Sequence, residues 1–184
     1  MTRRSLLLGL LLTSATAAAL PSEPPQVTVH GTVATATGEH PAWFTLICTQ
    51  GSGAALSLQL MLSTDSAPDF PFDAFEGPRA PASYLPSAQL AVGGRRFAPS
   101  VVAGWYGGEV AGTFVFGIAA SPGSATTAVQ VAQALGKPGV KLDWIQASDN
   151  IQTPPLAATF APDAAQSRAL ARIAAPCLPG HPRR

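Results

Sequence analysis

The sequence predicts a mainly β protein: a single-domain antiparallel sheet or β-sandwich with two short helices, one C-terminal and tied back by a disulfide. Three observations lead there. Trp43 to Thr49 and Leu56 to Leu62 both alternate with period two, so Phe44, Leu46 and Cys48 share one face and Leu56, Leu58, Leu60 and Leu62 share the face next door. Gln50-Gly51-Ser52-Gly53 lies between them, and alternating runs joined by a Gly-rich turn read as an antiparallel hairpin with one buried face. There are only two cysteines, Cys48 on that inward face and Cys177 near the end, and cysteines in an exported chain pair.

The export reading comes from the first residues. Arg3-Arg4 gives a positive start, Ser5 to Leu12 is an almost unbroken apolar run, and Ala17-Ala18-Ala19 offers small residues to a signal peptidase. Residues 1–19 are therefore expected to be a signal peptide cleaved near Ala19, too short to span a membrane. Thr2-Arg3-Arg4-Ser5-Leu6-Leu7 also resembles a twin-arginine leader, so both export routes stay open. The expected location is periplasmic or secreted, with no membrane span after signal removal. In that compartment a Cys48–Cys177 bridge would close a loop worth about 5 kcal/mol by loop-closure entropy.

Residues 20–178 form the expected domain. Val27 to Val33 alternates weakly and suits a first, edge strand, and Gly38-Glu39-His40-Pro41 is turn chemistry leading into the hairpin. Ser63 to Pro86 carries Pro68, Pro71, Pro78, Pro81 and Pro86, which exclude a central strand or a helix interior. The same stretch holds Phe70, Phe72, Phe75 and Tyr84, so part of this long loop must dock on the body. Strands resume at Ala88 to Val92, turn at Gly93-Gly94, return from Arg95, and continue at Val101 to Tyr106 and Val110 to Ile118. Ser124 to Leu135 reads as a helix with Ser124 as N-cap and Gly136 and Pro138 as its stop. Strands at Val140 to Ala147 and Leu156 to Phe160 follow. Asp163-Ala164-Ala165-Gln166 is a capping-box variant opening a helix that Pro176 ends, just before Cys177. Seven or eight strands result, and residues 179–184 are expected to be a disordered tail.

Composition excludes some functions. Charged residues are 11% of the chain, too few for a nucleic-acid surface that must neutralise phosphates, while 47% hydrophobic residues argue against disorder. Without Arg3 and Arg4 nine bases face ten acids, a net charge of −1 that steers neither nucleic acid nor anionic lipid. His30, His40 and His181 have no partner at metal-ligand spacing, so no metal and no cofactor are expected. Gly51-Ser52-Gly53 is a hairpin turn rather than a nucleophile elbow, and neither a Rossmann nor a P-loop fingerprint occurs.

Two stretches remain as candidate sites. Asp69, Asp73 and Glu76 interleave with Phe70, Phe72 and Phe75; the carboxylates are the alternative catalytic set for a glycan-acting hydrolase, while the phenylalanines either contact a ligand or staple the loop to the core. Gly104-Trp105-Tyr106-Gly107-Gly108 is an aromatic pair between glycines, either an exposed recognition tip or core aromatics beside bulges. The leading expectation is a non-catalytic binding or interaction protein with Phe70, Phe72, Phe75, Trp105 and Tyr106 as contacts and a protein or carbohydrate as ligand.

Trp43 ahead of Cys48, with Phe160 and the Ala169-Leu170 helix before the terminal cysteine, resembles small exported proteobacterial proteins such as the invasion-associated locus B group. The likeness covers two short segments, lacks that group's additional internal cysteines and falls short of membership. It implies a secreted β-rich protein without an established catalytic centre.

Overall fold

Period-two alternation becomes strand, with inward positions buried and outward positions more open except along Thr113–Ala120, where every residue but Ala119 is buried. The computed structural model describes residues 25–49, 55–107, 110–120 and 126–180; the leader, the Gln50–Gly53 turn, the expected N-cap Ser124, and residues 181–184 of the tail lie outside them. The strands are β1 (Gln26–Thr35), β2 (Gly38–Cys48), β3 (Leu56–Ser63), β4 (Pro86–Val92), β5 (Arg95–Arg96), β6 (Ser100–Val101), β7 (Ala103–Tyr106), β8 (Thr113–Ala120), β9 (Leu142–Gln146) and β10 (Leu156–Phe160). Two α-helices, α1 (Thr127–Leu135) and α2 (Ala164–Ala174), accompany them.

All strands belong to one antiparallel sheet in the order β5-β4-β9-β10-β1-β2-β3-β8-β7, with β6 also on β4. The expected choice between sheet and sandwich thus resolves to a single curled sheet. Its curl follows from one extended segment: Ser100–Val101 pairs with β4, and after Val102 the chain pairs with β8 through Ala103–Tyr106. The two sides of the sheet meet at this segment, which leaves little free edge. Among the described residues ten strands stand where seven or eight are expected, because the runs after Gly93-Gly94 break into short pieces. That turn is a two-residue hairpin with φ of +56° and +82°, which glycine alone adopts without strain.

Two local expectations are corrected. β1 is not an edge strand; it lies between β2 and β10, a partner far away in sequence. Glu39, His40 and Pro41 are not turn residues but belong to β2 and pair with Ala34, Val33 and Thr32. Pro41 falls just past Ala42, the last β2 residue in register with β3, and this is the edge position that proline tolerates. α1 begins at Thr127 after the extended residue Thr126.

The concave side holds the core. Val29, Val33, Phe44, Leu46, Leu58, Leu60, Leu90, Leu142, Trp144 and Phe160 are essentially inaccessible. Gln146 is buried with them because its amide is satisfied: Nε2–H donates to Ser87 Oγ at 2.9 Å and to the Ala147 carbonyl at 2.9 Å, while Oε1 accepts from the Trp144 indole N–H at 3.2 Å.

Each end of this curled sheet has its own plug. At the Cys48, Leu56 and Ala120 end, α1 and α2 bury Ala128, Val131, Leu135, Leu170 and Ala174. The helices approach closely at Gly136, where a Cβ would sit 3.0 Å from that of Ala171. The expected capping box is present, with the Gln166 N–H donating to Asp163 Oδ1 at 2.7 Å and the Asp163 N–H donating to Gln166 Oε1 at 2.9 Å. Cys48 and Cys177 form a disulfide with a Cα–Cα distance of 5.9 Å. Among the described residues no helix is long and apolar enough to cross a membrane.

At the Ala42, Leu62 and Phe114 end, the plug is the Pro-rich loop. It folds into three single 3-10 turns, Thr64–Ser66, Phe72–Phe75 and Pro81–Tyr84. Phe70, Phe72 and Phe75 are 5%, 5% and 0% exposed and interlock with Phe114 and Phe116, ring centroids lying 5.0 to 6.0 Å apart.

Candidate functional site

The residues singled out in the sequence sort by which side of the curled sheet they occupy. Phe70, Phe72 and Phe75 are core; they hold the loop down and offer a ligand no open surface in this structure. Trp105 and Tyr106 are adjacent in β7 and so point to opposite faces. Trp105 projects outward and is 38% exposed, whereas Tyr106 lies at the rim of the phenylalanine plug, edge-on to Phe114 at 5.0 Å and 45% exposed. The expected aromatic tip is therefore divided between two surfaces.

On the rim, the Tyr106 hydroxyl donates to Asp73 Oδ1 at 2.5 Å. That hydrogen bond, helped by partial burial and by the negative charges of Asp73 and Glu76, pushes the Tyr106 pKa up to about 12. Glu76 is held close through its backbone, in a parallel bridge with Gly104. Gly104 is the contact point of strand and loop: a Cβ there would lie 2.5 Å from the Phe114 ring and 2.7 Å from Phe75 Cβ. The loop is also fastened by Ser83 Oγ, which donates to the Phe75 carbonyl at 2.9 Å, and by the Ser66 carbonyl, which accepts from Thr35 Oγ1 at 2.7 Å and Thr37 Oγ1 at 2.8 Å. Asp73 is thus engaged in anchoring the loop, and Asp69 is exposed beside a cavity of about 30 Å³ lined by Thr35, Thr37, Phe70, Thr153 and Leu156. Such a space has room for a water or two. Among the described residues no group of His, Cys, Asp and Glu side chains could hold a metal ion.

On the outer face the register builds a transverse row that spacing along the chain does not reveal. Trp105 is opposite Val115, Val115 opposite Met61, Met61 opposite Trp43, and Trp43 opposite His30. His30 and Trp43 meet edge to face at 6.2 Å. The neighbouring row is Ala103, Gly117, Gln59, Thr45 and Thr28, whose two threonine hydroxyls are hydrogen-bonded at 2.9 Å. Gly117 explains the posture of Trp105: a Cβ at this position would be 2.7 Å from Cη2 and 2.8 Å from Cζ3 of the indole. The Cη2–Cζ3 edge of the indole is thus packed against the bare backbone of Gly117 on β8. Gln59, Met61 and Gly117 are outward positions of strands whose neighbours only the fold assigns, so spacing along the chain does not bring them beside Trp105; the alternation around Leu58, Leu60 and Phe116 is the available signal.

No family model matches the chain, and no curated protein or solved structure matches it.

Proposed function

We propose that this is an exported, non-catalytic binding protein that meets its ligand on the outside of the sheet at Trp105, with Tyr106 on the adjoining rim. The observation carrying this reading is the indole whose far edge is held against Gly117, more than a third exposed although its partner position Val115 is covered. An aromatic side chain fixed against backbone loses little entropy when a ligand stacks on it, which suits a preorganised contact. The concave side supports the same placement, since phenylalanines, leucines and the two helices fill it. Export is supported by the disulfide, a bond that persists in oxidising compartments, and by the leader read from the first nineteen residues.

The test is a photo-cross-linking amino acid placed at position 103, on the same outward face of β7 with Trp105 left intact, in the full chain produced in a host that exports it, with position 145 as control. Ile145 is also exposed but lies on β9. A saturable adduct at 103 and not at 145, lost when Trp105→Ala is added, is the expected result. Equal labelling of both positions, or none at either, refutes the reading.

A further inference from the structure

We propose that the helical end of the molecule docks on an anionic lipid bilayer and holds the Trp105 and Tyr106 rim away from it; this goes beyond the binding reading and does not depend on it. The argument begins with where the charges lie. Six bases are exposed at the helical end: Arg95 and Arg96 on β5, Lys137 and Lys141 on the connection from α1 to β9, and Arg168 and Arg172 on α2. Among the described residues the one other lysine or arginine is Arg79, in the Pro-rich loop. The acids are distributed the other way. Glu39, Asp65, Asp69, Asp73, Glu76 and Asp149 are exposed on the hairpin, loop and turn of the opposite end. Among the described residues only Asp143 and Asp163 share the basic end, and both are engaged, Asp143 by the Thr159 hydroxyl at 3.0 Å and Asp163 in the capping box. The net charge of −1, expected to leave the chain indifferent to anionic lipid, therefore conceals one basic and one acidic end.

The fold gathers these bases from three parts of the sequence. Arg95 pairs with Val92 across the Gly93-Gly94 turn, and the Gly93 N–H donates to the Lys141 carbonyl at 2.9 Å, which sets the β5 hairpin beside the start of β9. Lys137 stands four positions earlier, just after α1. Gly136 packs on Ala171, so the end of α1 meets α2 beside Arg168 and Arg172, which are one turn apart on the same helix face. A helix C-terminus favours Lys137 and Arg172 locally, and the Phe97 ring, 5.0 Å away, favours Arg95. Arg96 and Lys141 sit on a strand and a connection where neither effect applies. The form of the surface favours a plane of headgroups. Its bases are spread over a hairpin, a connection and a helix around one end, whereas a single polyanionic chain is tracked by a groove. None of the large exposed hydrophobic side chains belongs to β5, α1, α2 or the α1–β9 connection, so the contact is peripheral and electrostatic. Anionic headgroups attract clusters of about four to eight Lys and Arg, and export sets the chain beside a membrane. The same headgroups repel the acidic end, so the docked molecule turns its Pro-rich loop, Tyr106 and Trp105 toward solvent.

The test is cosedimentation of the exported protein, oxidised and as its host processes it, with vesicles of phosphatidylglycerol and with vesicles of phosphatidylcholine. Phosphatidylglycerol should retain it at low salt and release it at high salt, and phosphatidylcholine should not retain it. The pairs Arg95→Gln with Arg96→Gln, Lys137→Gln with Lys141→Gln, and Arg168→Gln with Arg172→Gln should each weaken partitioning on the order of tenfold or more. Lys141→Gln alone should cost about fivefold, whereas Arg79→Gln, the same change in net charge at the acidic end, should leave partitioning within about twofold. A variant with the disulfide and circular dichroism spectrum of the parent counts as folded, and three separate pairs keep the test decisive if one does not fold. Vesicles should also leave the quenching of tryptophan emission by a soluble neutral quencher unchanged. No retention by phosphatidylglycerol, retention that survives in all three folded pairs, or protection of the tryptophans by vesicles overturns the proposal. Binding to soluble heparin with none to vesicles overturns it in favour of a polyanionic chain. Salt-sensitive self-association in place of lipid binding overturns it in favour of the acidic end of a second copy. None of these results alters a cross-link at position 103, so the two readings fail separately.

Discussion

The two ends of the sheet are closed by opposite means. One end is shut by regular structure: α1 and α2, a capping box and the Cys48–Cys177 bridge, which spans 129 positions of sequence. The other is shut by a loop with almost no regular structure, in which Phe70, Phe72 and Phe75 enter the core and prolines hold short 3-10 turns between them. The helical end draws on backbone hydrogen bonds and a covalent restraint on the unfolded chain. The loop end depends on apolar burial and a few isolated hydrogen bonds, such as Tyr106 to Asp73. The first resists local opening because its parts are cross-linked to a central strand. The second is only as secure as its aromatic contacts, and local unfolding should begin there.

Substitutions separate the two designs, and the largest effect is expected in the aromatic plug. Phe75 is inaccessible and sits edge-on to Phe116 at 5.1 Å, so Phe75→Ala should cost roughly 3–5 kcal/mol in denaturant unfolding. Hydrogen exchange should accelerate at the amides of Ser83 and Leu85, whose bonds close the last turn of the loop, before it does in α2. Equal acceleration at both ends would mean that they do not open independently. Removing the bridge by Cys48→Ala with Cys177→Ala should cost about 2–5 kcal/mol and shift exchange in the reverse sense, with α2 opening first. Peptide mapping of the unreduced parent should recover the Cys48 and Cys177 peptides joined.

The smallest effect sharpens the loop end alone. Tyr106 has a raised folded pKa, so the stabilisation from its neutral hydroxyl is complete below the unfolded tyrosine value near 10 and is lost as pH rises toward about 12. Side-chain exposure keeps the size of this effect small. In a Tyr84→Phe background, where Tyr106 is the one tyrosine left, ultraviolet titration should place its midpoint near 12, and Asp73→Asn should bring it down toward 10. A midpoint that ignores Asp73→Asn would show that the hydrogen bond is not what holds the phenol neutral.

Much of this architecture was determined by the sequence alone. Alternation of Phe44, Leu46 and Cys48 with Leu56 to Leu62 specified a hairpin and its buried face, because period-two apolar spacing leaves a strand one way to bury itself. Asp163 with Gln166 specified the start of α2, because capping is a local hydrogen-bond exchange. The cysteine pair followed from there being only two of them. The tertiary structure decided what depends on contacts between distant segments. That β10 covers β1, that Ser100 to Tyr106 joins both sides of the sheet, and that Phe70, Phe72 and Phe75 enter the core are outcomes of packing competition among many possible partners. The same holds for Trp105. Neighbouring glycines marked it as unusual, but its posture follows from Gly117, twelve residues later and diagonal to it across the strand pair, where a Cβ would collide with the far edge of the indole.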